Sequence, residues 1–222
     1  MKKYNVYLSL LVLFVLTSCT TSSIATGPGY KTQASLVVIE NADPLDVSIA
    51  VFNPGIPAES DEYGNKGIFP ELRRAEAMYM AVKLRNELSE SKNFGAVRVT
   101  PDLSANSDLY IKAKILKSNG EDVEMKVTVI DSTGKSWIKG KKYKHRVTSS
   151  LFDNPRNKDE DGKLKVDPYQ PIYRKINSDL ASYLRKRINA SKTEVIHTTA
   201  EIRFAQDFSP SAFSDILREK RG

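Results

Sequence analysis

Residues 108–148 constrain the fold most, because apolar and polar residues alternate along this stretch with a period of two. Such alternation is typical of strands that bury one face. Asn119-Gly120 and residues 131–134 interrupt it with residues that favour tight turns. The apolar positions of the first two strands are Leu109, Ile111, Ala113, Ile115, Val123, Met125, Val127 and Val129. A third strand at 135–148 completes a predicted meander with one apolar and one lysine-rich face.

The chain before the meander predicts a βαβ-like unit. Short apolar runs at 34–40 and 47–52 have the composition of strands, and the proline- and glycine-rich stretch 53–69 predicts a long loop without a regular element. Pro70 opens a helix predicted to end near Lys92, and a short strand follows at 96–100. Two apolar stripes predict that this helix is buried on two sides. They consist of Leu72, Ala75, Tyr79 and Val82, and of Ala77, Ala81, Leu84 and Leu88.

The chain after the meander is predicted to be helical. Residues 149–166 are crowded with charge and predict a mobile loop, and Asp167-Pro168 caps a helix with one apolar stripe. The stripe consists of Ile172, Ile176, Leu180, Leu184 and Ile188. Further helices are predicted at 193–208 and 210–217. We therefore expect an α+β fold, an α/β sandwich in which two long helices pack on a mostly antiparallel sheet. The domain is assigned to 34–190 and a helical C-terminal extension to 191–222.

The N-terminus has the layout of a signal peptide at 1–18. Lys2 and Lys3 form a basic head, an apolar run covers 8–16, and small residues lead into the single cysteine of the chain. An uncut membrane anchor is one alternative, but the apolar run is about half of the roughly 20 residues that a spanning helix needs. An ordinary secretory signal is the other, and it would leave a lone thiol at the start of the mature chain.

Leu16, Thr17, Ser18 and Cys19 resemble the lipobox of bacterial lipoproteins. The resemblance implies cleavage just before Cys19, a covalent lipid on that residue and a membrane-anchored chain. An aspartate after the cysteine usually means retention at the inner membrane in that family, so Thr20 implies the outer membrane, with the domain facing the periplasm. Residues 19–33 comprise the lipidated cysteine and a flexible tether of small and polar residues.

Composition indicates a mildly basic globular body. Apolar residues make up 40% and charged residues 27% of the chain, as in ordinary domains. Loss of Lys2 and Lys3 with the signal peptide lowers the formal net charge from +7 to +5, since 7 − 2 = 5. No disulfide can form within one chain that has a single cysteine.

The sequence offers little for catalysis. His145 and His197 are the two histidines, and neither lies at a metal-ligand spacing. A nucleophile elbow and a phosphate-binding glycine loop are absent from the sequence. We therefore expect no enzyme, no metal and no cofactor other than the lipid on Cys19.

The most basic stretch is the third strand of the meander. Its cations are Lys135, Lys139, Lys141, Lys142, Lys144 and Arg146, with no acidic residue among them. One interpretation is a surface for an anionic partner such as lipid headgroups, lipopolysaccharide phosphates or wall polymers. The alternative is an edge strand whose lysines prevent pairing with other sheets. Nucleic acid is excluded as a partner by the signal peptide.

Arg73 and Arg74 stand in the first turns of the predicted helix, where positive charge opposes the helix dipole. They could pair with Asp61, Glu62 or Glu76. They could also bind a carboxylate or phosphate of a partner, for which guanidinium groups are suited.

The order of elements resembles a small periplasmic domain shared by the amino-terminal part of TolB, CsgG, PelC and the LpoB activators. Residues 107–115 (SDLYIKAKI) and 127–137 (VTVIDSTGKSW) carry this resemblance, which covers 34–188. The phrases VFNPG at 51–55 and GIFPELRRAE at 67–76 resemble an uncharacterised family of proteobacterial lipoproteins. The resemblance implies a non-catalytic adaptor, an activator or an oligomer-forming subunit of an envelope machine.

We therefore expect a lipoprotein of the outer membrane that acts as a non-catalytic adaptor or assembly factor for an envelope complex. The partner would be an envelope protein, and self-association into a homo-oligomer is open. The alternative is direct binding of an anionic envelope polymer or lipid, peptidoglycan or lipopolysaccharide, through the basic strand.

Overall fold

A five-stranded sheet in the order β2-β1-β3-β4-β5 forms one layer of the domain. The structure is a computed structural model, and it describes residues 35–213. The strands are β1 (Val47–Ala50), β2 (Val97–Thr100), β3 (Leu109–Ser118), β4 (Asp122–Asp131) and β5 (Ser136–Arg146). The helices are α1 (Asp61–Lys66), α2 (Pro70–Ser91), α3 (Ser149–Asp153), α4 (Gln170–Arg187), α5 (Ala190–Phe208) and α6 (Pro210–Phe213).

The sheet combines the two predicted units. Strands β3, β4 and β5 form the antiparallel meander, and β1 pairs in parallel with β2 and with β3. Helix α2 connects β1 to β2, which confirms the βαβ unit. The predicted fold class, a mixed α+β sandwich with a mostly antiparallel sheet and C-terminal helices, is confirmed.

The core lies between the sheet and one layer of helices. Helices α2 and α4 contact each other, α2 also packs on β1 and β2, and α4 packs on β5. The predicted stripe of α4 is buried, from Ile172 to Leu184. Trp137 of β5 stacks on Tyr183 of α4 with 4.7 Å between ring centroids. Side chains buried almost completely include Ile49, Met80, Leu84, Ile111, Ile115, Met125, Tyr173, Ile176 and Leu180.

Helix α2 buries one stripe, and the prediction of two buried sides is wrong. Ala77, Ala81, Leu84 and Leu88 face the core. Leu72 and Tyr79 of the other stripe are 57% and 47% exposed. In a two-layer domain the helix has the sheet below it and α4 beside it, so its outer side faces solvent.

The predicted strand at 34–40 is also corrected. Residues 35–39 are extended but belong to no strand of the sheet. The backbone N–H of Val37 donates to Oδ1 of Asn93 at 2.7 Å, so the segment lies against the end of α2. Val37 and Ile39 pack on the core, while Leu36 and Val38 point outward. Exposed and half-buried residues alternate along this segment, but it lies beside a helix end instead of pairing with a strand.

Two stretches predicted as loops contain short helices. Residues 53–69 include α1, which ends at Gly67 with a φ of 58°. Residues 149–166 include α3, a 3₁₀ turn (Pro155–Asn157) and an isolated bridge between Lys158 and Leu164. Leu151 of α3 is fully buried, and its burial stabilises this short helix. The many charged residues around it led to the prediction of a loop.

Helix α5 lies at the end of the sheet where the parallel strands begin, since His197 contacts Asp43 and Asp108 there. Helix α5 buries Thr193, Ile196 and Ala200. The hydroxyl of Ser132, in the β4–β5 turn, donates to the carbonyl of Ile196 at 2.6 Å. Helix α6 follows to Phe213, and the predicted continuation to 217 lies outside the described residues. No helix within 35–213 is long and apolar enough to cross a bilayer.

Candidate functional site

The face of the sheet opposite the helices is open and rich in lysine. Because side chains alternate along a strand, the positions between the buried residues of β3 and β4 face away from the core. Lys112 and Lys114 of β3 and Lys126 of β4 are exposed there. Lys142 and Lys144 of β5 extend this surface to the edge of the sheet. We call these five lysines the open-face lysines.

Three of the open-face lysines lie in one row across the strands. Lys114 is directly opposite Lys126, and Lys126 is directly opposite Lys142. Side chains opposite each other on neighbouring strands are about 5 Å apart, so like charges in these positions repel. The side chain of Lys126 lies close to Gly140. A Cβ atom at position 140 would be only 2.8 Å from Cε of Lys126, so the glycine leaves room for the lysine. The row therefore concentrates positive charge in the middle of the face.

Acidic residues neutralise the rim of the face and leave most of the row free. Glu124 forms ion pairs with Lys144 at 2.8 Å and, more weakly, with Lys142 at 3.6 Å. Asp122 pairs with Arg146 at 2.6 Å and with Lys117 at 2.7 Å. Lys112, Lys114 and Lys126 form no ion pair with any residue that the structure describes.

The rim carboxylates are held in the ionised form. Hydrogen bonds from Arg146 and Lys117 hold the pKa of the Asp122 carboxyl well below its usual range. A hydrogen bond from Lys144 lowers the pKa of Glu124 in the same way. Both carboxylates therefore stay charged, and their ion pairs stay formed, throughout the neutral range.

The predicted basic strand is divided between two faces. Lys142, Lys144 and Arg146 belong to the open face, whereas Lys141 turns toward α4. Its Nζ lies 2.6 Å from Oδ2 of Asp179, which also accepts a hydrogen bond from the hydroxyl of Tyr143 at 2.8 Å. Lys139 is exposed beside the β-bulge at Gly140.

Sequence reasoning left three site residues off the candidate surface. Lys112, Lys114 and Lys126 lie on β3 and β4, whereas the predicted candidates belong to the densest run of charge, on β5. The alternation itself was the signal, since each of them occupies a polar position between buried neighbours. The two-residue alternation predicts which face each lysine occupies, but it does not predict the strand register that aligns Lys114, Lys126 and Lys142 in one row.

Arg73 and Arg74 have different environments. Arg73 is 4% exposed, and its Nε lies 3.3 Å from Oε2 of Glu76. Its guanidinium also donates to the carbonyls of Ser118 at 3.1 Å and Pro54 at 3.4 Å. Arg74 is exposed and pairs with Glu71 on the helix surface. Arg73 thus pairs with Glu76, which was one of the open alternatives. The guanidinium donors of Arg73 are occupied inside the domain.

A second polar region lies where α5 meets the start of the parallel strands. A cavity of about 740 Å³ there is lined by Asp46, Asp108, His197 and Glu201 among others. His197 Nδ1 is 3.0 Å from Oδ2 of Asp108, and its Nε2 is 3.2 Å from the carbonyl of Asp43. Burial raises the pKa of Asp108. Both ring nitrogens are thus engaged, and the histidine connects α5 to the entry of β3.

No arrangement for metal binding occurs in the described part of the chain, since residues 35–213 hold no group of three or more His, Cys, Asp or Glu side chains suited to an ion. The predicted lipobox, Leu16, Thr17, Ser18 and Cys19, lies outside the described residues.

Comparisons with known proteins add no family. No family model matches the chain, and no curated protein matches it. Among solved structures, the chain is similar to the crystal structure of protein XCC0632 from Xanthomonas campestris, of family model DUF330. The two share 10% identity over 78% of this chain and 94% of that chain, with a TM-score of 0.34. A likeness of this size carries no argument about function.

Proposed function

We propose that the protein is a lipid-anchored, non-catalytic adaptor of the bacterial cell envelope that holds an anionic envelope polymer on the open face of its sheet. The observation that carries this proposal is the row formed by Lys114, Lys126 and Lys142. Directly opposed like charges destabilise a sheet, so an anionic ligand across β3, β4 and β5 would relieve a repulsion that the free protein carries.

The polymer fits the geometry of the row. Neighbouring strands are about 4.8 Å apart, so three lysines across three strands extend over roughly 10 Å. Lysine is a compact, mobile point charge that accepts carboxylates and phosphates without a fixed geometry. A chain with repeated anionic groups, such as peptidoglycan or lipopolysaccharide, can engage several of them at once.

The anchor is supported by the sequence. Cys19 follows a lipobox-like tripeptide, and lipidation there would hold the domain at the outer membrane on the periplasmic side. The resemblance of 34–188 to the TolB, CsgG, PelC and LpoB domain supports a role as an adaptor, since those domains serve larger envelope assemblies. Membrane lipid is therefore one partner and the anionic polymer the other.

Binding of the full-length lipoprotein to purified peptidoglycan sacculi and to lipopolysaccharide tests the proposal. We expect Lys114→Glu with Lys126→Glu to weaken binding at least tenfold. Binding should also fall steeply between about 50 and 300 mM salt, because the Debye screening length drops below roughly 10 Å in this range. Lys163→Glu with Lys165→Glu, an equal change of charge at exposed lysines outside the sheet, is the matched control and should bind normally. Equal binding by the two double variants would contradict the proposal.

An envelope protein is the second candidate for the partner. The outer side of α2 exposes Leu72 and Tyr79, and Phe69 just before the helix is 70% exposed. In-cell cross-linking of the native lipoprotein distinguishes the candidates. Recovery of one protein in near-equal amount, reduced by Leu72→Glu and unchanged by Lys114→Glu with Lys126→Glu, would favour the protein partner.

A further inference from the structure

The described chain enters the domain beside the ends of its two long helices. A small hollow there is lined by Leu36, Val38, Lys92 and Leu184 among others. Lys92 caps the C-terminal end of α2, and Leu184 belongs to the last turn of α4. The entry of the chain and the ends of α2 and α4 therefore form one continuous surface.

Two apolar side chains of this surface are left uncovered by the residues that the structure describes. Leu36 is 59% exposed and Val38 is 78% exposed. Their neighbours Val37 and Ile39 pack on the core, and Asn93 fixes the backbone between them. The segment is thus held in place with two apolar groups directed at solvent. Single exposed apolar residues are ordinary, but this pair stands among cations.

The cations come from both helix ends. Arg185, Lys186 and Arg187 are exposed in the last turn of α4, and Lys92 is exposed next to the entering segment. Successive helix positions differ by 100°, so the three residues of α4 spread charge around its end. None of the four pairs with an acidic side chain of the described residues. Asp43 lines the hollow, and Glu40 and Glu90 are exposed close by in sequence, so the four cations leave a modest excess of positive charge.

Lys92 has an unusual backbone for its residue type. Its φ is 55°, in the left-handed region where a helix commonly ends with glycine or asparagine. A lysine there adds a side chain and its charge at a conformational cost. The choice is consistent with a use for that charge at the helix end.

The chain connects this surface directly to the expected anchor. Fifteen residues, 20–34, separate Cys19 from Ser35. A chain of this length spans at most roughly 55 Å when fully extended. The end of the domain that contains Leu36 and Val38 is therefore the part that a lipid on Cys19 keeps within reach of the bilayer.

We propose that Leu36, Val38, Lys92 and Arg185–Arg187 form a membrane-contact surface that docks on the anionic phospholipid headgroups around the anchor. The inference rests on the lipid anchor of the proposed function. Apolar side chains enter the boundary between headgroups and acyl chains, and lysine and arginine pair with headgroup phosphates. Each cation near an anionic surface contributes on the order of a fivefold factor to docking. A docked domain would direct the opposite end of the sheet, at Asn119-Gly120, away from the bilayer.

Lysine footprinting of the full-length lipoprotein in vesicles tests the surface. The protein is reconstituted in phosphatidylcholine alone or with phosphatidylglycerol, acetylated briefly and analysed by mass spectrometry. We expect several-fold protection of Lys92 and Lys186 in the anionic vesicles only, lost at high salt. Lys114 and Lys126 are reference lysines in the same sample and should stay reactive. Arg185→Glu with Arg187→Glu should abolish the protection of Lys92, as should Leu36→Ser with Val38→Ser.

Each result decides the question. Unchanged labelling of Lys92 and Lys186, or equal protection of Lys114 and Lys126, would overturn the surface. The mass of the Cys19 peptide is measured in the same digest, and an unmodified Cys19 would contradict the anchor of the proposed function instead. In that case Cys19 is coupled to a maleimide lipid in the vesicles, and the footprint of Lys92 and Lys186 then tests the surface with a chemical tether.

Discussion

Arg73 donates a hydrogen bond from Nη2 to the backbone carbonyl of Ser118 at 3.1 Å, and this contact fixes the first turn of α2 to the last residue of β3. The same guanidinium reaches Glu76, and the Ser118 hydroxyl donates to Oε1 of that carboxylate at 2.7 Å. A buried cation with its donors satisfied thus joins the helix layer to the sheet at the end remote from α5.

We expect Arg73→Met to lower the free energy of unfolding by about 3 kcal/mol, because it leaves a partly buried carboxylate and two carbonyls without their donor. Arg74→Ala, one residue away but exposed, should change it by less than about 0.5 kcal/mol. Urea unfolding of the three proteins measures both values. Similar losses in the two variants would contradict the structural role of Arg73.

Asp131 organises the β4–β5 turn. Its Oδ1 accepts hydrogen bonds from the N–H groups of Thr133 and Lys135, and its Oδ2 accepts one from the Trp137 indole at 3.0 Å. Asp131→Ala should cost about 3 kcal/mol, since it leaves a buried indole N–H unpaired and loosens the turn. Near-ultraviolet circular dichroism should show the altered Trp137, and Lys135→Ala serves as the control. A loss below about 1 kcal/mol would refute this account.

His145 should make the protein less stable as the pH falls. Burial lowers the pKa of this imidazole, and its Nε2 has no hydrogen-bond partner within the described residues. Below the unfolded-state pKa of about 6.5, the unfolded chain binds a proton that the folded protein refuses, so stability declines by up to about 1.4 kcal/mol per pH unit. His145→Phe should remove this slope.

The two proteins are compared by urea unfolding at pH 7.5, 6.5 and 5.5. Glu87 and Asp108, whose pKa values burial raises, favour the folded state on acidification, but they are common to both proteins and cancel in the difference. The stability difference should therefore change in favour of the variant as the pH falls. Parallel curves would show that His145 does not titrate as proposed.

Lys126→Glu should stabilise the domain while it weakens binding to the anionic polymer. The new carboxylate would face Lys114 on one side and Lys142 on the other, replacing two repulsions by two attractions worth about 0.2–1 kcal/mol each. Thermal unfolding and sacculus binding of one protein preparation test both effects. A variant that is destabilised, or that binds as the parent does, would contradict the repulsive row.

Cys19→Ala should release the protein from the membrane fraction. The substitution removes the residue that would carry the acyl chains, which are the stable attachment. Fractionation of cells with an antibody to the folded domain measures the shift, and Lys163→Ala, at an exposed lysine outside the proposed membrane-contact surface, is a control that keeps the anchor. A variant that remains fully membrane-bound would show that the attachment does not depend on Cys19.

The sequence predicted the helices and strands better than it predicted which of their sides pack against other elements. The meander, α2 and α4 follow from strong periodicities and tight-turn residues, and each lies where expected. Leu72 and Tyr79 misled the prediction because a helix with apolar residues on two sides does not reveal which side has a partner. Arg73 and Glu87, both charged and nearly buried in α2, blur the stripe that is buried.

The candidate surface needed three-dimensional information. Lys114 and Lys126 are ordinary outward positions of two strands until the register brings them opposite each other. Val38 has the pattern of a strand residue, since an extended segment has the same period whether it pairs with a sheet or lies beside helix ends. Lys141 lies on the opposite face from Lys142 and Lys144 because successive side chains of a strand alternate, and its partner in the register is the buried Val127.

The place of β1 in the sheet has a consequence for folding kinetics. Val47 stands opposite Val97 and Leu109, which follow it by 50 and 62 residues, whereas β3, β4 and β5 pair through short turns. Loop closure makes such distant pairing slow, so we expect the meander to form early and β1 to join late. The strand that is synthesised first therefore waits longest with unpaired backbone groups, and the rate at which it docks sets how long the chain remains prone to aggregation.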